Sequence, residues 1–187
     1  MDIVSSGCYS QASPLQICYP ASLQQTFSWQ TAAMPGPWRV AVGGAGLLAG
    51  AGLHHTYRLV QYTVHWPAQH TVDGKRAAGE LQLVHTRLTA GQLLDKNCYA
   101  NSNSENHQPS EALVESNVVE EADTVVVSVL LEAGKEQPEL KKLMLVSGSP
   151  DQVQSLVRPE LFLPADRSFF CYRGSLAGSP ATWLVLR

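Results

Sequence analysis

Six histidines carry the most versatile chemistry in this chain, because an imidazole can move a proton near neutral pH or ligate a metal. His54, His55, His65 and His85 lie in or beside segments that read as β-strands, and His70 lies in the connection between two of them. A catalytic zinc site generally takes three protein ligands and leaves a fourth position for water. The test is therefore which side chains face the same way. Side chains alternate across a strand, so Gln61, Thr63 and His65 share one face, and Glu80, Gln82 and Val84 share a face of the next strand. His85 falls one residue past an inward position and is expected to face away. The inward set holds one imidazole, one hydroxyl and one carboxamide, a weak donor set for a borderline-soft cation. The expectation is that no metal is bound, with a site rebuilt through His54 or His55, at the strand entrance, as the alternative.

Other chemistry-bearing patterns are absent. The four cysteines, Cys8, Cys18, Cys98 and Cys171, form no CxxC pair, which removes zinc ribbons and thioredoxin-type motifs. The Gly-rich stretch 42–52 lacks the Lys-Ser/Thr of a phosphate-binding loop, and no acidic residue follows at the spacing that meets a ribose; it reads as turns or a bulged edge strand.

The elements that must position these residues are mainly strands. Apolar segments 57–66, 79–85, 124–131 and 182–186 are rich in Val, Leu, Tyr and Trp, and Gly and Pro punctuate them. Two segments read as helical: 137–146, where Pro138 opens a turn carrying Leu140, Leu143 and Met144 on one side, and a short turn at 151–157. Residues 97–122 are polar and then acidic, which predicts a long surface loop. At 187 residues, 44% hydrophobic and 16% charged, the chain is expected to be a single globular domain, residues 1–187. A net charge of -3 without a basic block excludes nucleic acid as the main partner. No apolar run reaches the roughly 18 residues that span a bilayer. With no secretory leader and no glycosylation sequon in the sequence, the compartment is left open with a lean to the cytoplasm.

The run Tyr57-Arg58-Leu59-Val60-Gln61-Tyr62-Thr63-Val64-His65-Trp66, then Gln69-His70-Thr71-Val72-Asp73-Gly74-Lys75, then Glu80-Leu81-Gln82-Leu83-Val84-His85 closely resembles the core of the α-class carbonic anhydrases. In that family the three segments read YRLxQFHFHW, EHTVDxKxxxxE and LHLVHW. Ser10 to Ile17 is similar to the family's QSPIDI, and Val125 to Gly134 to its buried AVLGIFLKVG strand. Leu161-Phe162-Leu163-Pro164, Tyr172-Arg173-Gly174-Ser175-Leu176 and Thr182-Trp183-Leu184-Val185-Leu186 resemble its LLP, YxGSL and TWIVL. The resemblance implies a mainly β fold with few short helices, built on a central, twisted, mostly antiparallel sheet.

It also implies where the chemistry has gone. The family's three zinc-ligand positions fall on Thr63, His65 and Gln82, so His65 is the one ligand retained. The threonine that bonds the zinc hydroxide falls on Ala177, and the glutamate that orients it on Gln69. Gln61, His70 and Glu80 match residues behind the ligands, and Val84, Val126, Leu176 and Trp183 match the apolar wall of the pocket. Without zinc, bound water keeps a pKa near ~15.7 in place of about 7, and no hydroxide forms at neutral pH. The expectation is a catalytically inactive domain acting as a binding or accessory subunit; the alternative is a zinc-dependent carbonate dehydratase with an altered ligand set. Family members have a longer turn where six residues separate Leu176 from Trp183, and they continue past the strand that ends this sequence. The sheet is therefore expected to be shortened at the C-terminus, with an exposed edge covered by a protein partner or by a second copy.

Overall fold

A computed structural model describes residues 2–3, 15–19, 25–30, 38–42, 46–89, 122–145, 153–155 and 158–186. Its strands are β1 (Asp2–Ile3), β2 (Gln16–Cys18), β3 (Gln25–Gln30), β4 (Trp38–Val42), β5 (Leu47–Ala49), β6 (Tyr57–His65), β7 (Thr71–Val72), β8 (Lys75–Arg76), β9 (Gly79–Arg87), β10 (Thr124–Leu131), β11 (Val153–Ser155), β12 (Phe169–Leu176) and β13 (Ser179–Leu186). Among the described residues one helix, α1 (Pro138–Leu145), and a 3-10 turn, Pro159–Phe162, lie outside the sheets. No helix among the described residues is long and apolar enough to cross a membrane.

The main sheet runs β11-β3-β4-β6-β9-β10-β13-β12, with β5 also on β6 and β2 on β5. Every pairing in it is antiparallel except β10 with β13. A small sheet, β1-β7-β8, stands apart. The expected mainly β, mostly antiparallel architecture is what the chain adopts.

Period-two alternation divides the two faces. Tyr57, Leu59, Tyr62, Val64, Leu81, Leu83, Val125, Val127, Leu184 and Leu186 form the larger core on one side. Each fully buried aliphatic side chain there stabilises the fold by about 1.5–3 kcal/mol relative to an exposed one. Leu59 and Tyr62 can both join that core because the β6–β9 register shifts between Leu59 and Gln61, a β-bulge at Val60. The bulge turns the rest of β6 so that Gln61, Thr63 and His65 face the other side. Paired opposite them on β9 are Val84, Gln82 and Glu80.

Two sequence expectations change. Residues 151–157, read as a helical turn, contain β11, which pairs antiparallel with Gln25–Phe27; seven residues are too few for helical and extended periodicities to be told apart, and backbone bonds to β3 decide. The loop expected at 97–122 lies outside the described residues except for Ala122, whose carbonyl accepts a bond from the Tyr57 hydroxyl. The Gly-rich stretch does carry turns, with positive φ at Gly46, Gly50, Ala51 and Gly52. At Gly46 a β-carbon would stand 2.1 Å from the Tyr19 ring, so glycine admits that ring to the core.

Candidate functional site

The centre of the site is Glu80, a fully buried carboxylate in the middle of the sheet. Burial alone pushes its pKa up, but hydrogen bonds from His70, Ser128 and Gln82 outweigh that and pull it down to about 2. Oε1 accepts from Ser128 Oγ at 2.6 Å, His70 Nδ1 at 2.7 Å and Gln82 Nε2 at 2.8 Å. Oε2 accepts the backbone N–H groups of Gln69 at 2.8 Å and His70 at 2.9 Å. Five donors thus hold one ionised carboxylate, which ties the β7 side of the connection to β9 and β10.

This arrangement fixes the roles of its neighbours. His70 donates from Nδ1 to Glu80, and its Nε2 meets the Tyr172 hydroxyl at 2.5 Å. Burial, and then the Glu80 charge, raise the Tyr172 pKa, so the phenol stays protonated. The Gln82 nitrogen donates to Glu80 and also to Gln69 Oε1, at 2.9 Å. Both amide hydrogens are then used, and the carboxamide oxygen must face His65, 3.2 Å from its Nε2. His65 is half-buried, and burial lowers its pKa. Gln61 Nε2 donates to Thr63 Oγ1 at 2.8 Å, and Arg39 on β4 stands opposite Thr63.

Thr63, His65 and Gln82 therefore do come together, and each is engaged with a neutral neighbour: Gln61, Gln82 and His65 respectively. Gln69 Oε1 is thus tied to Gln82. His85 faces the opposite side, where its Nε2 is 2.7 Å from the Tyr19 hydroxyl, and burial lowers its pKa to about 4. His54 and His55 precede β6 and so lie at its far end from His65, on the order of 25 Å away at the usual strand rise. Among the described residues, no three His, Cys, Asp or Glu side chains converge as a metal site would need.

Ala177 occupies the tip of the β12–β13 hairpin. Leu176 pairs with Ser179, leaving Ala177 and Gly178 as a two-residue loop with φ of 49° and 89°. Positive φ at both positions is the requirement of a type I′ turn. Both residues are exposed.

Val84, Val126 and Trp183 form one apolar cluster with Ala181, against which Leu176, Val60 and Tyr172 pack. Beside it opens a depression of about 580 Å³ lined by Gln69, His70, Arg76, Tyr172, Gly174, Ser175 and Trp183. Of the four wall residues read from the sequence, Trp183 lines this depression; Val84, Val126 and Leu176 do not. Three contributors were not foreseen. Ser128 had a signal, as the lone hydroxyl in a buried run of Val and Leu, which demands a partner. Tyr172 and Arg76 had none: the bond from Tyr172 to His70 spans 102 residues, and only the fold brings Arg76 beside β12.

A profile of the eukaryotic-type carbonic anhydrases matches residues 37–186. Human carbonic anhydrase 7 is 31% identical over 157 residues, covering 75% of this chain and 52% of that protein. Rat mitochondrial carbonic anhydrase 5B is 29% identical over 154 residues, covering 74% of this chain and 42% of that one. A putative carbonic anhydrase 3 from Caenorhabditis elegans is 32% identical over 148 residues, covering 73% and 48%. The chain spans about half the length of these curated relatives. A solved complex of the α-carbonic anhydrase from Thermovibrio ammonificans with the inhibitor sulfanilamide has a TM-score of 0.69 over 100% of this chain and 70% of that chain. At 24% identity this is a likeness of fold.

Proposed function

The chain belongs to the eukaryotic-type carbonic anhydrase family, and from that premise we propose that it is a catalytically inactive member that works by binding. The observation that carries this reading is the hydrogen bond between His65 and Gln82. Gln82 stands where the family resemblance puts a zinc ligand, and its oxygen receives the Nε2–H of the single histidine left in the ligand set. To meet a metal through Nε2, His65 would have to give up that bond and offer a lone pair. Thr63 and Gln82 would then have to contribute neutral oxygens to a cation that favours imidazole, thiolate and carboxylate. The residues present do not fit zinc, and no step through a metal follows from them.

What remains chemically is one half-buried imidazole without a metal. A single acid-base group typically supplies about 10² to 10⁴-fold in rate, well short of a metal hydroxide. Binding is the reading better matched to the rest of the molecule. Among the described residues β12 pairs only with β13, which puts it at an edge of the described sheet. An edge strand is where a strand from a protein partner, or from a second copy of this chain, adds to a sheet.

Metal analysis of the purified protein beside a CO₂ hydration assay tests the reading. Substoichiometric zinc and a hydration rate equal to buffer are expected. Stoichiometric zinc with sulfonamide-sensitive turnover would overturn it.

A further inference from the structure

The geometry points to a second site, distinct from the Thr63, His65 and Gln82 positions: we propose that the depression between β8 and β12 binds a small organic carboxylate with an apolar body. Among the described residues its one guanidinium is that of Arg76. One guanidinium nitrogen of Arg76 donates to the Ala68 carbonyl at 2.8 Å, which anchors the fork, and among the described residues no carboxylate pairs with it. A guanidinium held by one of its nitrogens has its remaining donors pre-organised for a planar anion.

Trp183 is the independent observation. Its side chain is buried, at 5% exposure, yet no acceptor among the described residues meets its indole N–H. Gly174 is what leaves that N–H open to the depression. A β-carbon at 174 would stand 3.2 Å from Trp183 Nε1 and Cδ1 and 3.0 Å from Tyr172 Cε2. The two rings are parallel to within 3°, so the glycine window presents ring edges. Aromatic edges carry the positive end of the ring quadrupole and favour an anion.

Among the described residues the walls thus hold a cation, neutral donors and no carboxylate. Glu80 lies behind His70 with both oxygens occupied, and it does not line the depression. A single guanidinium balances one negative charge, which favours a carboxylate over a phosphate carrying nearly two. A volume of about 580 Å³ exceeds the needs of a bare carboxylate and leaves room for an apolar group beside Tyr172 and Trp183. This inference does not depend on whether zinc is bound elsewhere.

The test is a benzoate titration of isotope-labelled protein, following the Trp183 indole N–H resonance, assigned by its loss in Trp183→Phe. Saturable movement of that resonance by benzoate, and none by the neutral isostere benzamide, is expected. Arg76→Gln should weaken benzoate by about tenfold or more, Arg76→Lys by less, and Gly174→Val should abolish binding by filling the window. Thermal transitions of each variant establish that it is folded; should Arg76→Gln unfold, Arg76→Lys decides. A resonance unmoved by benzoate up to about 20 mM, equal response to benzamide, or undiminished affinity in a folded Arg76 variant would each overturn the proposal.

Discussion

The Nε2–H of His65 donates across β6 and β9 to the carboxamide oxygen of Gln82, 3.2 Å away. The direction of this bond is set from the other end of Gln82, whose nitrogen gives its two hydrogens to Gln69 and Glu80. A chain of oriented bonds thus runs from the buried carboxylate to the retained histidine. Each link leaves the next one a single protonation pattern.

Gln82→Ala cuts that chain in its middle. It removes three hydrogen bonds at once and leaves Glu80 with one donor fewer in a site that water does not reach freely. The expected loss is about 2–4 kcal/mol of unfolding free energy, because buried polar groups without partners are costly. Urea unfolding at neutral pH measures it. A loss within ordinary surface-mutation range would mean that the network rearranges around the gap.

Glu80 gives the fold an acid limit. Its folded pKa of about 2 lies below the ordinary carboxylate value of 4.5, so the folded state holds the proton less tightly than the unfolded chain does. The stabilisation is complete above about pH 4.5 and is lost as the pH falls toward about 2. Its size is on the order of 3 kcal/mol by linkage. Glu80→Gln should be less stable than the parent at neutral pH, and the gap should close through that window as the parent's carboxylate protonates. A gap independent of pH would show that packing, and not ionisation, is what the glutamate contributes.

Ser128 and Glu80 are 2.6 Å apart and belong to one network, so their effects should not add. Ser128→Ala alone is expected to cost about 1.5–3 kcal/mol, the range for a hydrogen bond to a charged group. In the Glu80→Gln background the same change should cost visibly less. A double-mutant cycle gives the coupling directly, with at least about 0.5 kcal/mol expected for residues in contact. Strict additivity would remove Ser128 from the group that holds the carboxylate.

Legibility followed from how local each constraint was. The shared face of Gln61, Thr63 and His65, and of Glu80, Gln82 and Val84, was readable because alternation is a property of a strand by itself. The outward direction of His85 followed from the same rule. The bulge at Val60 was not readable, since it is a mismatch between two strands and neither strand's sequence records it. The ties from His70 to Tyr172 and from Tyr19 to His85 span 102 and 66 residues, and only the sheet order brings them together. Residues 151–157 were misread because three residues of strand carry almost no periodicity.

Ala177 stands in a turn whose backbone constrains what can replace it. It sits at φ 49° beside Gly178 at φ 89°, in a hairpin loop that favours Asn-Gly. Alanine is tolerated there at some strain, because its β-carbon crowds the following carbonyl in the left-handed region. Ala177→Asn should therefore stabilise the protein by about 0.5–1 kcal/mol, since Asn accepts positive φ. Ala177→Thr, which returns the family's hydroxyl, puts a β-branched residue where φ is positive and should destabilise by about 1–2 kcal/mol. The two substitutions need to be read in the parent and in the Thr63→His, Gln82→His double variant, which adds two imidazoles to His65 for a set of three. Zinc affinity should return in the double variant without any change at Ala177, because the ligands stand on β6 and β9 while the turn stands at the end of β12. Thermal unfolding orders the turn variants, and competition with a fluorescent chelator reads the zinc. If Ala177→Thr were as stable as the parent, the turn would not hold φ positive at this position in solution, and a threonine could take up an orientation toward the site that this hairpin denies it.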